Sequence, residues 1–470
     1  MIENNIIRAY ALKNALEHEG KAVAGSVISG LFNHGLTKEG IKNIMPVVQV
    51  ILREVNAISI LEQEKEFELL KDIIGHRPER DGLPELEDVD EKKGVIMRFS
   101  PSPSGPMHIG HAATGTPTSL YVKKYGGKFY LRIEDTNPEN IDSDAYKMIP
   151  EEADWLFGNV TKSYCQSDRM KKYYEFAEKI IEKGFGYVCT CDSEKFKKLI
   201  ESKKECPCRK HSVKEQLLRW GKMLNKKGYK EGEAVLRFKS DLNDINPAMR
   251  DFPLARINLT KHPRQGKKYR VWPLMNLCVT LDDMEFCATH VIRAKDHMDN
   301  AKRQAMIFKI FNKPVPKTYF LGRYNFTDLE ISCSKTKAKI KEGEFSGWED
   351  IRLPFIAALR NRGYQPEAFE KMAVQRGISE VDKVISREDY FRVLDNFNRE
   401  VLKDKTKKVN FEDCHEKEAN VIVLMPDNKK VFGKTSFKAK SGEIIYFDKF
   451  GYAKYNGKDG KRSLFWFCHD

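Results

Sequence analysis

Residues 95–111, VIMRFSPSPSGPMHIGH, leave the chain few ways to fold. The apolar run Val95–Phe99, with Arg98 inside it, has the length of a short buried strand. Pro101, Pro103 and Pro106 can neither extend a ladder nor enter a helix interior, so they make a stiff loop that Gly105 lets bend. HIGHAATGTPTSLYVKKYG (108–126) then opens a helix, and KFYLRIED (128–135) is a second strand followed by the polar turn TNPEN. Strands alternating with helices argue a parallel α/β sheet.

Around this segment the pattern changes character. Residues 1–76 repeat apolar positions at three and four, in IIRAYALKNAL, IKNIMPVVQVILREV and ILEQEKEFELLKDII, and predict an N-terminal helical domain. Ser59 and Glu62 form a capping box for the third helix. Residues 77–93 are polar, acidic and proline-containing, and read as a linker. The α/β pattern fills 94–184, is interrupted over 185–270 by a basic, cysteine-bearing insertion, and resumes over 271–346. Residues 347–408 are helical again. Residues 409–470 alternate apolar and polar residues with Gly and Asn-Gly turns, and predict antiparallel, barrel-like β structure.

Composition narrows the function classes. At 470 residues the chain holds two to four domains of ordinary size. It carries a net charge of +14, and residues 201–270 alone hold 19 Lys/Arg against 8 Asp/Glu. A concentrated basic surface suits a polyanion, nucleic acid being the commonest, with a solubility patch as the alternative. No run approaches the roughly 18–20 apolar residues of a membrane span. The first residues carry acids and no signal-peptide core, so a soluble, cytoplasmic protein is expected. Four of the ten cysteines cluster as Cys189-x-Cys191 and Cys206-x-Cys208, followed by His211. Soft thiolates in a reducing compartment suit a tetrahedral, structural zinc, with four reduced thiols in a loop as the alternative.

His108 and His111 share one face of the first helical turn, where the helix end presents free N–H groups and positive potential. Imidazoles there can donate hydrogen bonds to phosphate oxygens. The absence of an adjacent nucleophile fits phosphoryl or nucleotidyl transfer, which needs mostly positioning and charge stabilisation. A bare H-x-x-H is equally compatible with two incidental histidines.

The wider string RFSPSPSGPMHIGH resembles the first signature of class I aminoacyl-tRNA synthetases, and of the glutamyl-tRNA synthetase family in particular. The resemblance continues in order through LRIEDTNPE, YVCTC, THVIRAKDH, SCSKTK and GWEDIRLPFIAALRNRG. The helical start and β-rich end resemble that family's archaeal and eukaryotic branch. The resemblance implies a Rossmann-like HIGH-type catalytic domain, an inserted acceptor-stem-binding domain, and a C-terminal helical region followed by an anticodon-binding β-barrel region. Only about sixty β-like residues remain there, so one of the branch's two barrels is absent or reduced.

The resemblance also assigns residues. His108, His111, Ser334 and Lys335 would act on ATP, the last two within Ser332–Thr336, which stands where the family has a KMSKS loop. Cys333 replaces that signature's methionine, and its first lysine is missing. Arg98 would hold the side-chain carboxylate of L-glutamate, for which a planar guanidinium is suited. Glu134 would pair with the α-ammonium. Arg293, Asp296 and His297 would line the same pocket, and Ser100 and Ser102 would contact substrate or nucleotide. The family often has Tyr where this chain has Met275, which cannot donate a hydrogen bond. The implied partners are tRNA(Glu), with tRNA(Gln) as a second candidate, and the implied cofactors are Mg²⁺ beside ATP and zinc on Cys189, Cys191, Cys206 and Cys208. A monomer is expected. Trp220, Tyr229 and Tyr269 are candidate base-stacking residues or packing residues. Rival readings are a glutaminyl enzyme, a glutamyl transferase acting on a modified tRNA base, and a non-catalytic tRNA-binding paralogue.

Overall fold

The structure, a computed structural model, describes residues 2–18, 20–37, 39–74 and 82–470. They fall into two compact units, divided at residue 81.

The first unit is a cluster of four helices, Asn4–Glu17, Ala24–Leu31, Ile41–Ala57 and Ile60–Leu70. Their apolar faces meet in a core that includes Ile7, Leu12, Val27, Leu31, Val48 and Val55. The Ser59 capping box forms as expected, with Glu62 N donating to Ser59 Oγ and Ser59 N to Glu62 Oε2. Gln63 is fully buried and ties the helix ends together by donating to Val55 O and Gly20 O.

The second unit is built on parallel strands β1 (Val95–Phe99), β2 (Gly127–Ile133) and β3 (Lys162–Cys165), in the order β1-β2-β3. The insertion contributes β4 (Gly186–Cys189), β5 (Val235–Phe238), β6 (Pro253–Ile257) and β7 (Val271–Pro273), an antiparallel meander. The parallel layer resumes with β8 (His290–Ala294) and β9 (Lys317–Leu321), a parallel pair. Thr289 joins β8 to β1: its N–H donates to Ile96 O and its Oγ1 accepts from Ile96 N, both at 2.9 Å. The layer therefore runs β3-β2-β1-β8-β9, the doubly wound, Rossmann-like order expected. Its switch point lies between β1 and β8, where ligands of such sheets bind.

Two boundaries differ from expectation. Residues 82–93 are not a free linker: Leu83 and Leu86 are buried in the core beneath β1–β3, and Tyr121 and Tyr125 hydroxyls bond the backbone of Pro84 and Leu86. The polar average of this stretch hid two leucines that supply its docking face. Residues 77–81 of the expected linker lie outside the described residues. The insertion's sheet extends to Pro273 rather than 270, because Val271–Pro273 pairs with β6. Asp135, just past the end of β2, fastens the insertion to the parallel layer. Its carboxylate accepts from Ser167 N, Ser167 Oγ and Tyr146 Oη, and its carbonyl bonds His262 Nε2 at 2.9 Å.

Beyond β9, β10 (Tyr324–Phe326) pairs with β11 (Lys383–Ile385). Helices Ile356–Arg362, Pro366–Arg376 and Arg387–Leu402 lead to a seven-stranded sheet. This comprises β12 (Lys407–Val409), β13 (Glu412–Asp413), β14 (Val421–Leu424), β15 (Lys430–Lys434), β16 (Ile444–Phe447), β17 (Gly451–Asp459) and β18 (Arg462–His469). The order is β12-β16-β17-β18-β14-β15-β13. The edge strands β12 and β13 are separated in sequence only by Asn410 and Phe411, so the chain itself draws the two edges together and the sheet curls around a core of Val421, Val423, Phe447 and Phe465. The sheet is mixed rather than antiparallel throughout: β12–β16 and β14–β18 pair in parallel. Among the described residues no helix is long and apolar enough to cross a membrane.

The register Val95↔Gly127 and Phe99↔Leu131 delivers Arg98 and Glu134 to the same end of the sheet. It depends on Gly127, whose φ is +112° and where an added Cβ would lie 2.0 Å from Val95 O. Gly127→Ala is expected to cost about 2 kcal/mol or more, through strain and a displaced β1–β2 register; chemical denaturation measures it.

Candidate active site

His108 has extended backbone and caps the helix Ile109–Tyr125. Its Nδ1 accepts from Gly110 N at 3.1 Å, while its own N–H donates to His111 Nδ1 at 3.2 Å. The two rings stack with centroids 3.8 Å apart. Burial pushes both imidazoles down, His108 well below the usual range and His111 to about 4. Both are therefore neutral at pH 7. A neutral imidazole whose Nδ1 accepts must carry its proton on Nε2. Each ring thus keeps one N–H donor for a ligand at the helix N-terminus, and neither is a cation.

This turn is laced from outside. Ile109 N donates to Pro354 O and Ile356 N to Met107 O, so the RLPFI segment forms a short bridge across His108. Glu152 Oε2 accepts from Met107 N at 2.6 Å.

The second signature stands directly beside the first. Cys333 is buried, and its side chain lies 3.0 Å from where a Cβ on Gly105 would be, with Sγ 3.8 Å from Pro106 O. The short cysteine permits this approach. The segment, which stands where the family has a loop, is here the first turn of a helix, Cys333–Lys341, capped by Ser332 Oγ. Lys335 pairs with Glu330 at the surface, Lys337 pairs with the buried Asp142 at 2.9 Å, and Ser334 Oγ lies 3.3 Å from Ser332 Oγ.

The pocket floor is a buried charge lattice. Asp283 lies between Arg132, whose Nη1 donates at 2.6 Å, and Arg98, whose Nε and Nη2 approach at 3.4 and 3.5 Å. Despite burial, these guanidinium groups hold Asp283 below the usual carboxylate range. Arg132 also donates to Glu134. Asp282 accepts from Gln166, Arg169 and Tyr173. Arg293 is 8% exposed and donates to the Gln304 amide oxygen at 3.1 Å, not to a carboxylate. Burial and the neighbouring Arg98 charge push it down to about 9. The backbone of Glu134 is fixed by donation to Pro101 O. Ser100 Oγ is buried without a partner among the described residues, and Ser102 is exposed.

Arg98, Ser100, Glu134 and Arg293 thus converge at the carboxyl ends of β1, β2 and β8. His297 belongs with them: burial, then the Arg293 charge, lowers its imidazole. Asp296 does not. It is exposed and ion-paired with Arg323, a partner outside the pocket that spares it desolvation. Met275 starts the helix Met275–Glu285 and packs beside Tyr173 and Trp272. Asp283, Arg132, Gln304 and Glu152 were missed from the sequence. The available signal was charge inside apolar runs, in LCVTLDDMEF and FYLRI, since a buried charge requires a partner.

In the insertion, Cys189, Cys191, Cys206 and Cys208 bring their sulfurs within 4.8 Å of one another. Three of the pairs are 3.2, 3.5 and 3.9 Å apart, and none is a disulfide. A tetrahedron of 2.3 Å metal–sulfur bonds places sulfurs roughly 3.8 Å apart, so the donor set fits zinc. His211 is not part of it: its ring bonds Arg219 and Glu215. Trp220 is buried in the insertion's core, and Tyr229 and Tyr269 pack against cores, so none is a free stacking platform.

A family model, tRNA synthetases class I (E and Q), catalytic domain, matches residues 94–404. A glutamate–tRNA ligase of Methanosphaera stadtmanae is 40% identical over 415 residues, 87% of this chain and 72% of that protein. One from Methanocaldococcus jannaschii is 40% identical over 403 residues, 85% of this chain and 71% of that protein. A crystal structure of a glutamate tRNA ligase from Elizabethkingia meningosepticum aligns at TM-score 0.47 and 19% identity, covering 66% of this chain and 70% of that one.

The low His111 value has a sign that can be tested. Between about pH 6.5 and 4 the unfolded chain binds this proton and the native one does not, so stability falls on acidification through that window. His111→Asn, which can still accept from His108 N, is expected to flatten the acid limb by up to about 3 kcal/mol, read from urea midpoints at pH 7, 5.5 and 4.

Proposed function

Because this chain belongs to the class I tRNA synthetases for glutamate and glutamine, we propose that it ligates L-glutamate to tRNA(Glu) through a glutamyl-adenylate. The observation that carries the amino acid is Arg293: a buried guanidinium next to Arg98 that, among the described residues, hydrogen-bonds an amide oxygen and no carboxylate, while Asp283 and Glu134 reach it only through their field. A buried arginine without a directly bonded anion is costly, and a substrate carboxylate would relieve that cost with two parallel hydrogen bonds. An amide offers one acceptor oxygen, so the same pocket disfavours glutamine.

ATP would lie across the N-terminus of helix Ile109–Tyr125. The Nε2–H groups of His108 and His111 would donate to its phosphate oxygens. The glutamate α-carboxylate attacks the α-phosphorus in line; a P–O bond forms, the bond to the β-phosphate oxygen breaks, and pyrophosphate leaves. Lys335 would leave Glu330 and place its ammonium on that leaving group, with Ser334 beside it. Mg²⁺ would accompany the triphosphate as part of the substrate. In the second step the terminal 2′-hydroxyl of tRNA attacks the anhydride carbonyl and AMP departs, its phosphate able to take the hydroxyl proton. Glu134 would meet the substrate ammonium, with His297 and Ser100 on the pocket wall and Ser102 at its mouth. The basic insertion would hold the acceptor end, and the β-barrel, with 15 Lys/Arg against 10 Asp/Glu over 401–470, the anticodon side. Such a protein works in the cytoplasm.

Zinc held by Cys189, Cys191, Cys206 and Cys208 would supply folding energy to the insertion. The purified chain is expected to contain one zinc, with four thiols shielded from a thiol reagent until a chelator is added, and Cd²⁺ replacement is expected to give thiolate charge-transfer absorbance.

The deciding experiment is charging of purified tRNA(Glu) and tRNA(Gln) with labelled glutamate and labelled glutamine. Glutamate on tRNA(Glu), and glutamine on neither, is expected; glutamate on tRNA(Gln) would add a second tRNA substrate. Glutamine on either tRNA, or no charging at all, would reject the reading. Lys335→Ala is expected to lower pyrophosphate exchange about a hundredfold or more, and Arg293→Ala to lower kcat/KM for glutamate about a hundredfold.

A further inference from the structure

We propose that Glu152 is a positioning residue for ATP activation, holding the turn that presents His108 and His111 to the nucleotide. The proposal rests on the reading that this turn binds ATP. Glu152 lies on the helix Ala145–Phe157, outside both signature segments, and is 2% exposed. Its Oε2 accepts from Met107 N at 2.6 Å, and Met107 itself is fully buried. Without that acceptor the N–H would be orphaned in the core directly before the capping histidine. Met107 O is already taken by Ile356 N, so Glu152 completes the clamp on both backbone groups of one residue.

The second carboxyl oxygen, Oε1, is buried with no hydrogen-bond partner among the described residues. An ionised carboxylate would hold negative charge there that only the Ala357 N–H and the Arg360 guanidinium offset, beside the helix end that phosphates would occupy. A protonated carboxyl avoids this: its carbonyl oxygen accepts from Met107, and the proton sits on the unpaired oxygen. Burial pushes the group up to about 8. The charges that face it are Arg360 and Glu349, with the Cys333 thiol on the signature helix and the backbone N–H of Ala357. The His108 and His111 imidazoles follow Met107 in the chain. Deprotonation above about pH 8 is therefore expected to weaken nucleotide binding while leaving the glutamate pocket unchanged.

The test compares the full-length protein with Glu152→Gln and Glu152→Ala, in glutamate-dependent pyrophosphate exchange and in ATP calorimetry. Glu152→Ala is expected to weaken ATP about tenfold with the glutamate KM within about twofold. Glu152→Gln, whose amide oxygen can still accept from Met107, is expected to restore wild-type ATP affinity. From pH 7.5 to 9 the wild type is expected to lose ATP affinity and the Gln variant to lose less. Unchanged ATP affinity in a folded Ala variant would overturn the proposal. So would equal damage to both substrates, or parallel pH profiles for wild type and Gln variant. Should the Ala variant not fold, the Gln pH arm decides. Calorimetry reads the nucleotide directly, so absence of exchange in the wild type would count against the functional reading alone.

Discussion

Asp283 lies 3% exposed between two guanidinium groups that come from adjacent strands, Arg98 on β1 and Arg132 on β2. The desolvation of three charges is offset only because they meet inside one lattice; removing one partner of such a buried pair typically costs about 3–5 kcal/mol. The lattice does more than hold strands together. Arg132 extends it to Glu134, and the field of Arg98 reaches Arg293. Arg98, Arg132 and Arg293 are thereby brought to one end of the sheet with Asp283 and Glu134 among them.

The turn that carries His108 and His111 depends on a different device. Helix Ile109–Tyr125 could present its N-terminus anywhere on the sheet, but its first residues are held by backbone bonds to Pro354 and Ile356 and by the carboxyl of Glu152. These contacts come from segments up to roughly 250 residues away in sequence. The same helix that receives the bridge, Ile356–Arg362, ends in Arg362, whose guanidinium donates to Phe467 O and Cys468 O of the C-terminal sheet. The curled C-terminal sheet is thus fastened by a buried, charge-assisted contact to the element that braces the signature turn.

Much of this was legible from residue order. The capping box at Ser59, the strand–loop–helix at 95–125, the insertion and the cysteine pairs all rest on local signals: caps, proline exclusion, periodicity and spacing. The departures have local causes as well. Residues 82–93 read as linker because two buried leucines were outvoted by their charged neighbours. SCSKTK is expected as a loop from the family's signature, although Ser332 is itself a local helix-cap signal. The C-terminal strands read as antiparallel because alternation reveals faces, not neighbours, and parallel pairing of β14 with β18 leaves no mark on either strand alone.

By itself the sequence determined the chemistry available: which stretches are strands and helices, where stiff loops break them, and which histidines, arginines and thiols are on hand, because those follow from steric and apolar preferences acting over a few residues. Tertiary structure alone decided who meets whom. It paired Arg98 with Asp283 rather than leaving it free, turned Asp296 outward to Arg323, set Cys333 against Gly105, and kept His211 out of the thiol cluster. Those outcomes depend on distances between residues far apart in the chain and on the cost of burying each charge, and neither quantity is written in local order.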